Sequence, residues 1–181
     1  MTPLDELVAD PWLPFHGQIA VKSLQEDRVV PEPARSGESA GDCATCARRG
    51  SEFVWTDQDW AGQPDRETPV PGVVLLVTRG HYDSYTEMPD RLLAQLEPMT
   101  ARVERAVLSV GDVARVHVCR WGDGSAHFHH WFLPRPLGAL QLRGSMLPIW
   151  MDLLPVLPVD AVDAALSTIS ASMRAGDRAG D

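Results

Sequence analysis

The sequence predicts an α+β fold, and three observations predict it. The stretch "MPDRLLAQLEPMTARVERAVLSVGD", residues 88–112, places Leu92, Leu96, Met99, Val103, Val107 and Val110 at spacings of three and four, which is one face of a long helix. "GVVLLVT", residues 72–78, is a short apolar, β-branched run bounded by Pro71, Gly72 and Gly80, the pattern of a central strand. "ARVHVCRW" and "AHFHHWFL" read as two further strands joined by "GDGS", whose Asp-Gly step is a hairpin signal, so they are expected to pair antiparallel. A long helix beside antiparallel strands is an α+β arrangement.

Along the chain, residues 1–42 read as a partly irregular extension. "VVPEPARSGESAGD", ending at Asp42, is rich in Pro, Gly and Ser and has too little to bury. Before it, Trp12, Leu13 and Phe15 in "DPWLPFHG" offer anchors onto a domain. From Cys43, "EFVW" followed by "TDQDW" reads as a strand entering a hairpin turn, and the central strand comes next. The long helix closes at Gly111, and Pro98 is expected to kink it. In the tail, residues 137–181, Val159, Val162, Leu166, Ile169 and Met173 recur at helical spacing after Pro158 and predict a closing amphipathic helix packed on the domain. "SMLPIWMDLLPVLP" before it reads as an intramolecular cover, with the interface of a homodimer as the alternative.

At 181 residues and 44% apolar composition the chain supports one domain with a real core. The absence of a long apolar run and of an uninterrupted signal-like stretch predicts a soluble cytoplasmic protein, with no membrane partner. A net charge of −9, from 16 basic against 25 acidic residues, argues against a nucleic-acid footprint, whereas small anionic ligands need only a few local arginines and amides. Lys22 is the single lysine, and the Arg, Ala, Val, Asp and Pro skew points to a GC-rich bacterial gene. Three cysteines make no disulfide framework in a chain of this length. Two of them form Cys43-Ala-Thr-Cys46, a spacing suited to a metal half-site or a redox pair. Cys119 sits in an apolar alternation and reads as a small buried hydrophobe.

The densest chemistry lies in "GSAHFHHWFLPRP", residues 124–136. In an extended chain His127, His129, Trp131 and Leu133 share one face, and Phe128, His130 and Phe132 share the other. His130, between two phenylalanines, is then expected to be a packing histidine. His127 and His129 point together and can share a metal or divide labour between nucleophile and ligand. A CxxC joined by two histidines from elsewhere would complete a closed Cys₂His₂ zinc site.

"HFHHWFLPRP" resembles the signature of the histidine triad superfamily, nucleotide hydrolases and transferases with an HxHxH motif that often continues into Pro-Arg. The resemblance extends to the CxxC at Cys43 and Cys46, the hairpin "EFVWTDQDW", and "PGVVLLVTRGH" from Pro71 to His81, all in the family's order over residues 43–136. It implies a HIT-like antiparallel sheet of about five strands with one long helix, followed here by the C-terminal helix. It implies that His129 is the nucleophile, forming a covalent nucleotidyl-histidine at an α-phosphate, with its other ring nitrogen donating to a backbone carbonyl. The zinc-containing branch, which includes the galactose-1-phosphate uridylyltransferases, implies a structural Zn²⁺ on Cys43, Cys46, His81 and His127. Asp65 falls six residues before Pro71, where relatives keep an Asp for ribose hydroxyls, and Gly124 and Ser125 fall where relatives contact phosphate.

The departure is Trp131 at the third triad position. An indole offers one donor and no basic nitrogen, so it neither relays a proton nor replaces the contacts of a histidine to phosphate and leaving group. The resemblance therefore implies a nucleotide hydrolase or nucleotidyltransferase with altered acceptor or leaving-group preference. The alternative is a zinc-stabilised nucleotide-binding protein with little or no turnover. A third reading, an unrelated metal enzyme using His127 and His129 together, needs another ligand, for which His117 is the nearby candidate.

Overall fold

The structure is a computed structural model, and it describes residues 12–15 and 28–178. Its centre is a five-stranded antiparallel sheet in the order β1-β2-β3-β5-β4, formed by Trp55–Thr56, Trp60–Pro64, Val74–Thr78, Val113–Cys119 and His129–Pro136 as β1 to β5. The helices are Ala44–Ala47 (α1), Asp90–Leu108 (α2), Met146–Met151 (α3) and Val159–Arg178 (α4). This is the expected α+β architecture, with the apolar run at residues 72–78 at the middle of the sheet. No helix among the described residues is long and apolar enough to cross a membrane.

Side-chain alternation gives each face of the sheet a different fate. On one face Val74, Leu76, Phe128 and Phe132 form a continuous core with Leu92, Val103 and Val107 of α2 and Val162, Leu166, Ile169 and Met173 of α4. The apolar stripes anticipated on both helices are therefore what bury them. Leu96, Met99 and Val110 pack at the margin of that core. α2 runs through Pro98 without interruption. Val159, expected on the buried stripe, is instead 71% exposed, and α4 meets the core from Val162 onward.

Among the described residues the opposite face is only half covered. Leu142 and Leu147, from the segment that ends in α3, seal Val70, Val73 and Leu133 at one end. The apolar tail segment thus serves as an intramolecular cover, and Trp150 donates its indole N–H to the Trp12 carbonyl at 2.9 Å. The other end, floored by Ala61, Leu75 and Val77, carries no such lid among the described residues.

Two local expectations are corrected. β5 begins at His129 rather than at Ala126, and residues 120–128 do not form a tight Asp-Gly hairpin, because sheet pairing ends at Cys119 opposite Trp131. The backbone that a hairpin would use is claimed elsewhere: the Ala126 amide donates to the Ser36 carbonyl at 2.9 Å and the Phe128 amide to the Tyr82 carbonyl at 2.5 Å. At the other end of the sheet, "EFVW" contributes only Trp55 to β1, since Gly50–Glu52 is a 3₁₀ turn.

Gly72, just before β3, has φ +86, and a Cβ there would lie 3.3 Å from methyl carbons of Ile169 and Val110. Backbone conformation and helix approach both require glycine at this point. Gly72→Ala is expected to destabilise the fold by about 1–3 kcal/mol in chemical denaturation; an unchanged midpoint would show that α4 is not held this closely to the sheet.

Candidate functional site

The candidate metal centre gathers residues from four places in the chain. Cys43 and Cys46 lie on the turn of α1, where the Cys46 amide donates to Cys43 Sγ at 3.5 Å. His81 follows β3, and His127 precedes β5. Cys43 Sγ lies 3.3 Å from His127 Nδ1, Cys46 Sγ lies 3.3 Å from His81 Nδ1 and 3.6 Å from His127 Nδ1, and all four ligand atoms fall within 4.8 Å of one another. Tetrahedral zinc with its usual bond lengths separates sulfur from nitrogen by about 3.5 Å, so the donor set has both the chemistry and the spacing for that ion.

His127 is held in a ligand-ready state. Its Nε2–H donates to the Thr78 carbonyl at 2.8 Å, which leaves the Nδ1 lone pair aimed at the thiols. Burial lowers its pKa, with the neighbouring His81 and His129 adding to the effect, so the ring stays neutral as a metal ligand must. Burial and the adjacent Cys43 raise the Cys46 thiol to about 11, so without a metal it keeps its proton.

His129 is oriented by the residue two places before it. Its Nδ1–H donates to the His127 carbonyl at 2.7 Å, which puts the lone pair of the neutral ring on Nε2. That side chain lines an open groove of about 940 Å³ on the sheet face opposite the long helices. Asp65, Gly124, Ser125 and Trp131 line the same groove, so the structure brings together all five residues singled out for chemistry and substrate contact. Burial raises the carboxyl pKa of Asp65. The Trp131 ring stands edge-on to His129 with centroids 6.4 Å apart, and Trp121 lies 6.3 Å beyond it.

His130 behaves as the alternation predicted. It faces the helix side, its Nε2 accepts from the Tyr85 hydroxyl at 2.6 Å, and burial together with Arg120 pulls its pKa down to about 4. Cys119 packs half-buried beneath the tail segment. His117 is not part of the thiol–imidazole cluster, and its desolvated Nε2 has no partner among the described residues. With His127 engaged by the thiols, the reading in which His127, His129 and His117 hold one catalytic ion has no geometric support.

No family model matches the chain, and no curated protein does. Solved structures do. A hypothetical histidine triad nucleotide-binding protein from Sulfolobus tokodaii aligns at TM-score 0.57 and 18% identity, over 75% of this chain and 95% of its own. The fold is that of the histidine triad proteins. A Zn-bound histidine triad family protein from Mycobacterium smegmatis aligns at TM-score 0.50 and 16% identity, over 70% and 86% of the two chains. A uridylyltransferase aligns at 0.51 and 14%, over 72% of this chain but 44% of its own length.

Within the histidine triad fold the site also uses residues that the sequence did not single out. Arg35, in the extension, forms a bidentate pair with Asp83 at 3.0 and 2.5 Å and donates to the Gly122 carbonyl at 2.8 Å. Ser36 next to it bridges Ser125. The extension thereby pins the loop that carries Trp121, Gly124 and Ser125 into the groove wall. Pairings across 48 and 87 positions leave no local sequence signal. Thr78 was visible only as the end of an apolar run.

The Arg35 guanidinium holds the Asp83 carboxyl below the usual carboxylate range. A depressed carboxyl pKa contributes stability that is complete above the unfolded value of about 3.9 and is lost as pH falls through the folded value. Arg35→Met is expected to cost about 1–2 kcal/mol at pH 7, discounted for the 28% and 24% exposure of the two side chains. The gap from the parent protein is expected to narrow below about pH 4 in parallel urea titrations; a gap independent of pH would assign the loss to packing alone.

Proposed function

We propose that the protein is a nucleotide hydrolase or nucleotidyltransferase acting on an α-phosphate through a covalent nucleotidyl-His129. The observation that carries this reading is the tautomer lock: Nδ1–H is committed to the His127 carbonyl at 2.7 Å, on a side chain that lines the groove. Neutral Nε2 then attacks phosphorus, a P–N bond forms, and the bond to the leaving group breaks with its electron pair. The ring gains positive charge in that step, and the carbonyl accepting from Nδ1 is already oriented to stabilise it. Water or another acceptor displaces the histidine and restores the neutral ring.

Around that centre we assign Asp65 to ribose hydroxyls, Gly124 and Ser125 to phosphate oxygens and Trp131 to the wall beside the nucleophile. Cys43, Cys46, His81 and His127 would hold a structural Zn²⁺, whose contribution is to fix the start of the histidine strand. Residues 43–136 form the catalytic unit in this reading, with residues 1–42 as an extension and the tail as its cover. The second reading, a zinc-stabilised nucleotide-binding protein with little turnover, is favoured by the indole at Trp131.

His129→Ala is expected to abolish the nucleotidyl adduct by intact mass and to lower turnover of nucleoside phosphates about a thousandfold or more. Turnover that survives the substitution would remove the nucleophile, and binding without any adduct in the parent protein would select the second reading. Elemental analysis is expected to find about one zinc per chain, lost together with thermal stability in Cys43→Ser. A metal-free preparation that melts cooperatively at the same temperature as the parent would overturn the ligand assignment.

A further inference from the structure

The two thiols of the CxxC turn differ in what surrounds them. Cys43 is 2% exposed, whereas Cys46, one helical turn on, is open to solvent. The extension contributes to that burial. Gly37, at φ +78, passes so close to Cys43 that a Cβ on it would stand 3.2 Å from the Cys43 Cα and Cβ and 3.4 Å from its Sγ. One sulfur therefore meets solvent, and the other stands behind it within 4.8 Å.

That arrangement suits a two-electron oxidation. Residues three apart on a helical turn are neighbours, so side-chain rotation brings such a pair to disulfide distance with little movement of the backbone. A sulfenic acid formed on the exposed sulfur has its resolving thiol at hand, which diverts it to a disulfide ahead of further oxidation. A bound Zn²⁺ would keep both sulfurs as thiolates, the form that reacts with a peroxide. Cys119 provides the contrast within the chain: it lies outside the thiol cluster, packed against the apolar residues beneath the tail.

A change at the thiols reaches His129 through one residue. His127 Nδ1 lies 3.3 Å from Cys43 Sγ and 3.6 Å from Cys46 Sγ, and the His127 carbonyl accepts from His129 Nδ1–H at 2.7 Å. Joining the sulfurs takes away two of the four clustered ligands and the two thiolates that face His127 Nδ1, since a disulfide sulfur carries no charge to offer a metal. The Thr78 carbonyl, at 2.8 Å from Nε2, is then the hydrogen-bond anchor left to the ring. Residue 127 also precedes β5, so the sheet ladder does not fix its carbonyl.

We propose that Cys43 and Cys46 form a reversible peroxide-responsive site, whose oxidation ends metal binding and loosens the hold on His129. The site depends on the thiol cluster and not on the nucleotide reading. The Cys46 sulfur attacks the outer oxygen of the peroxide: an S–O bond forms, the O–O bond breaks, and its electron pair leaves on the departing oxygen, which takes a proton from water. The Cys43 sulfur then attacks the sulfenic sulfur of Cys46, the S–S bond forms and hydroxide departs. Two electrons pass from the thiol pair to the peroxide, and a thiol reductant reverses the change.

The test treats the full-length zinc-bearing protein, its histidines labelled with nitrogen-15, with a stoichiometric amount of hydrogen peroxide. Peptide mass locates the disulfide, a chromogenic chelator measures free zinc, and NMR follows the ring nitrogens of His129. A Cys43–Cys46 disulfide is expected, with about one zinc released per disulfide and displaced His129 signals, all three restored by dithiothreitol and zinc. Cys46 is expected to react about tenfold or more faster than Cys119, and dimedone added to the parent protein to trap Cys46 ahead of Cys43. Cys119→Ser is expected to change none of this, and Cys46→Ser to abolish the disulfide. Zinc retained while Cys119 oxidises, or a sulfinic acid in place of the disulfide, overturns the proposal. A disulfide that leaves the His129 signals unmoved overturns the coupling to the histidine strand. Protein that takes up no zinc overturns the ligand assignment alone, and the disulfide and the His129 signals then decide between a responsive pair and an inert one.

Discussion

The site depends on one residue used at three atoms. His127 presents Nδ1 to two thiols, gives its Nε2 proton to the Thr78 carbonyl, and offers its own carbonyl to His129. The first contact ties the residue to the CxxC turn, the second to the central strand, and the third sets which nitrogen of His129 carries a lone pair. A shift of the residue by an ångström would disturb all three. Burial suits His127 to this task, since a protonated ring could donate at Nε2 but could not bind a metal at Nδ1.

The groove exists because the sheet is covered unequally. α2 and α4 occupy one face, while among the described residues the other face is sealed only where Leu142 and Leu147 reach Val73 and Leu133. The strand periodicity of two then does the sorting. His130 and Phe132 go to the core, and His129 and Trp131 come to the open side, so two adjacent histidines differ in role because they differ in parity. The same rule puts Leu75 and Val77 beneath His129, an aliphatic floor that carries no titratable group.

Much of this was legible locally. The helical stripe from Leu92 to Val107, the β-branched run of β3 and the alternation in β5 each report the periodicity of one element, and each was placed correctly because one face of each element is buried. Parity alone separated His129 from His130. The four clustered ligands needed the family resemblance, since His81 and His127 stand 35 and 81 positions from Cys46. What escaped was set by competition between distant groups. The Asp-Gly step near residue 123 favours a tight turn, yet the backbone on its far side bonds to Ser36 and Tyr82, and those partners outweigh the local preference. Arg35 looked like one charge in a Pro- and Ser-rich stretch, and only the folded chain brings Asp83 and Gly122 to it.

This last pairing changes how the extension should be understood. Residues 120–128 leave the sheet ladder at Cys119 and rejoin it near His129, so regular hydrogen bonding fixes neither the height nor the angle of the loop between. Its position comes from its two ends: Arg35 and Ser36 hold Gly122 and Ser125, and the thiol cluster holds His127. A loop clamped at both ends has fewer conformations to lose on binding any ligand, so ordering that would otherwise be charged to binding is completed on folding. The Pro-rich segment before Cys43, too polar to form a core, contributes by spanning the gap that the broken hairpin opens. The extension and the CxxC turn are then two halves of one device for holding a groove loop that the sheet itself does not hold.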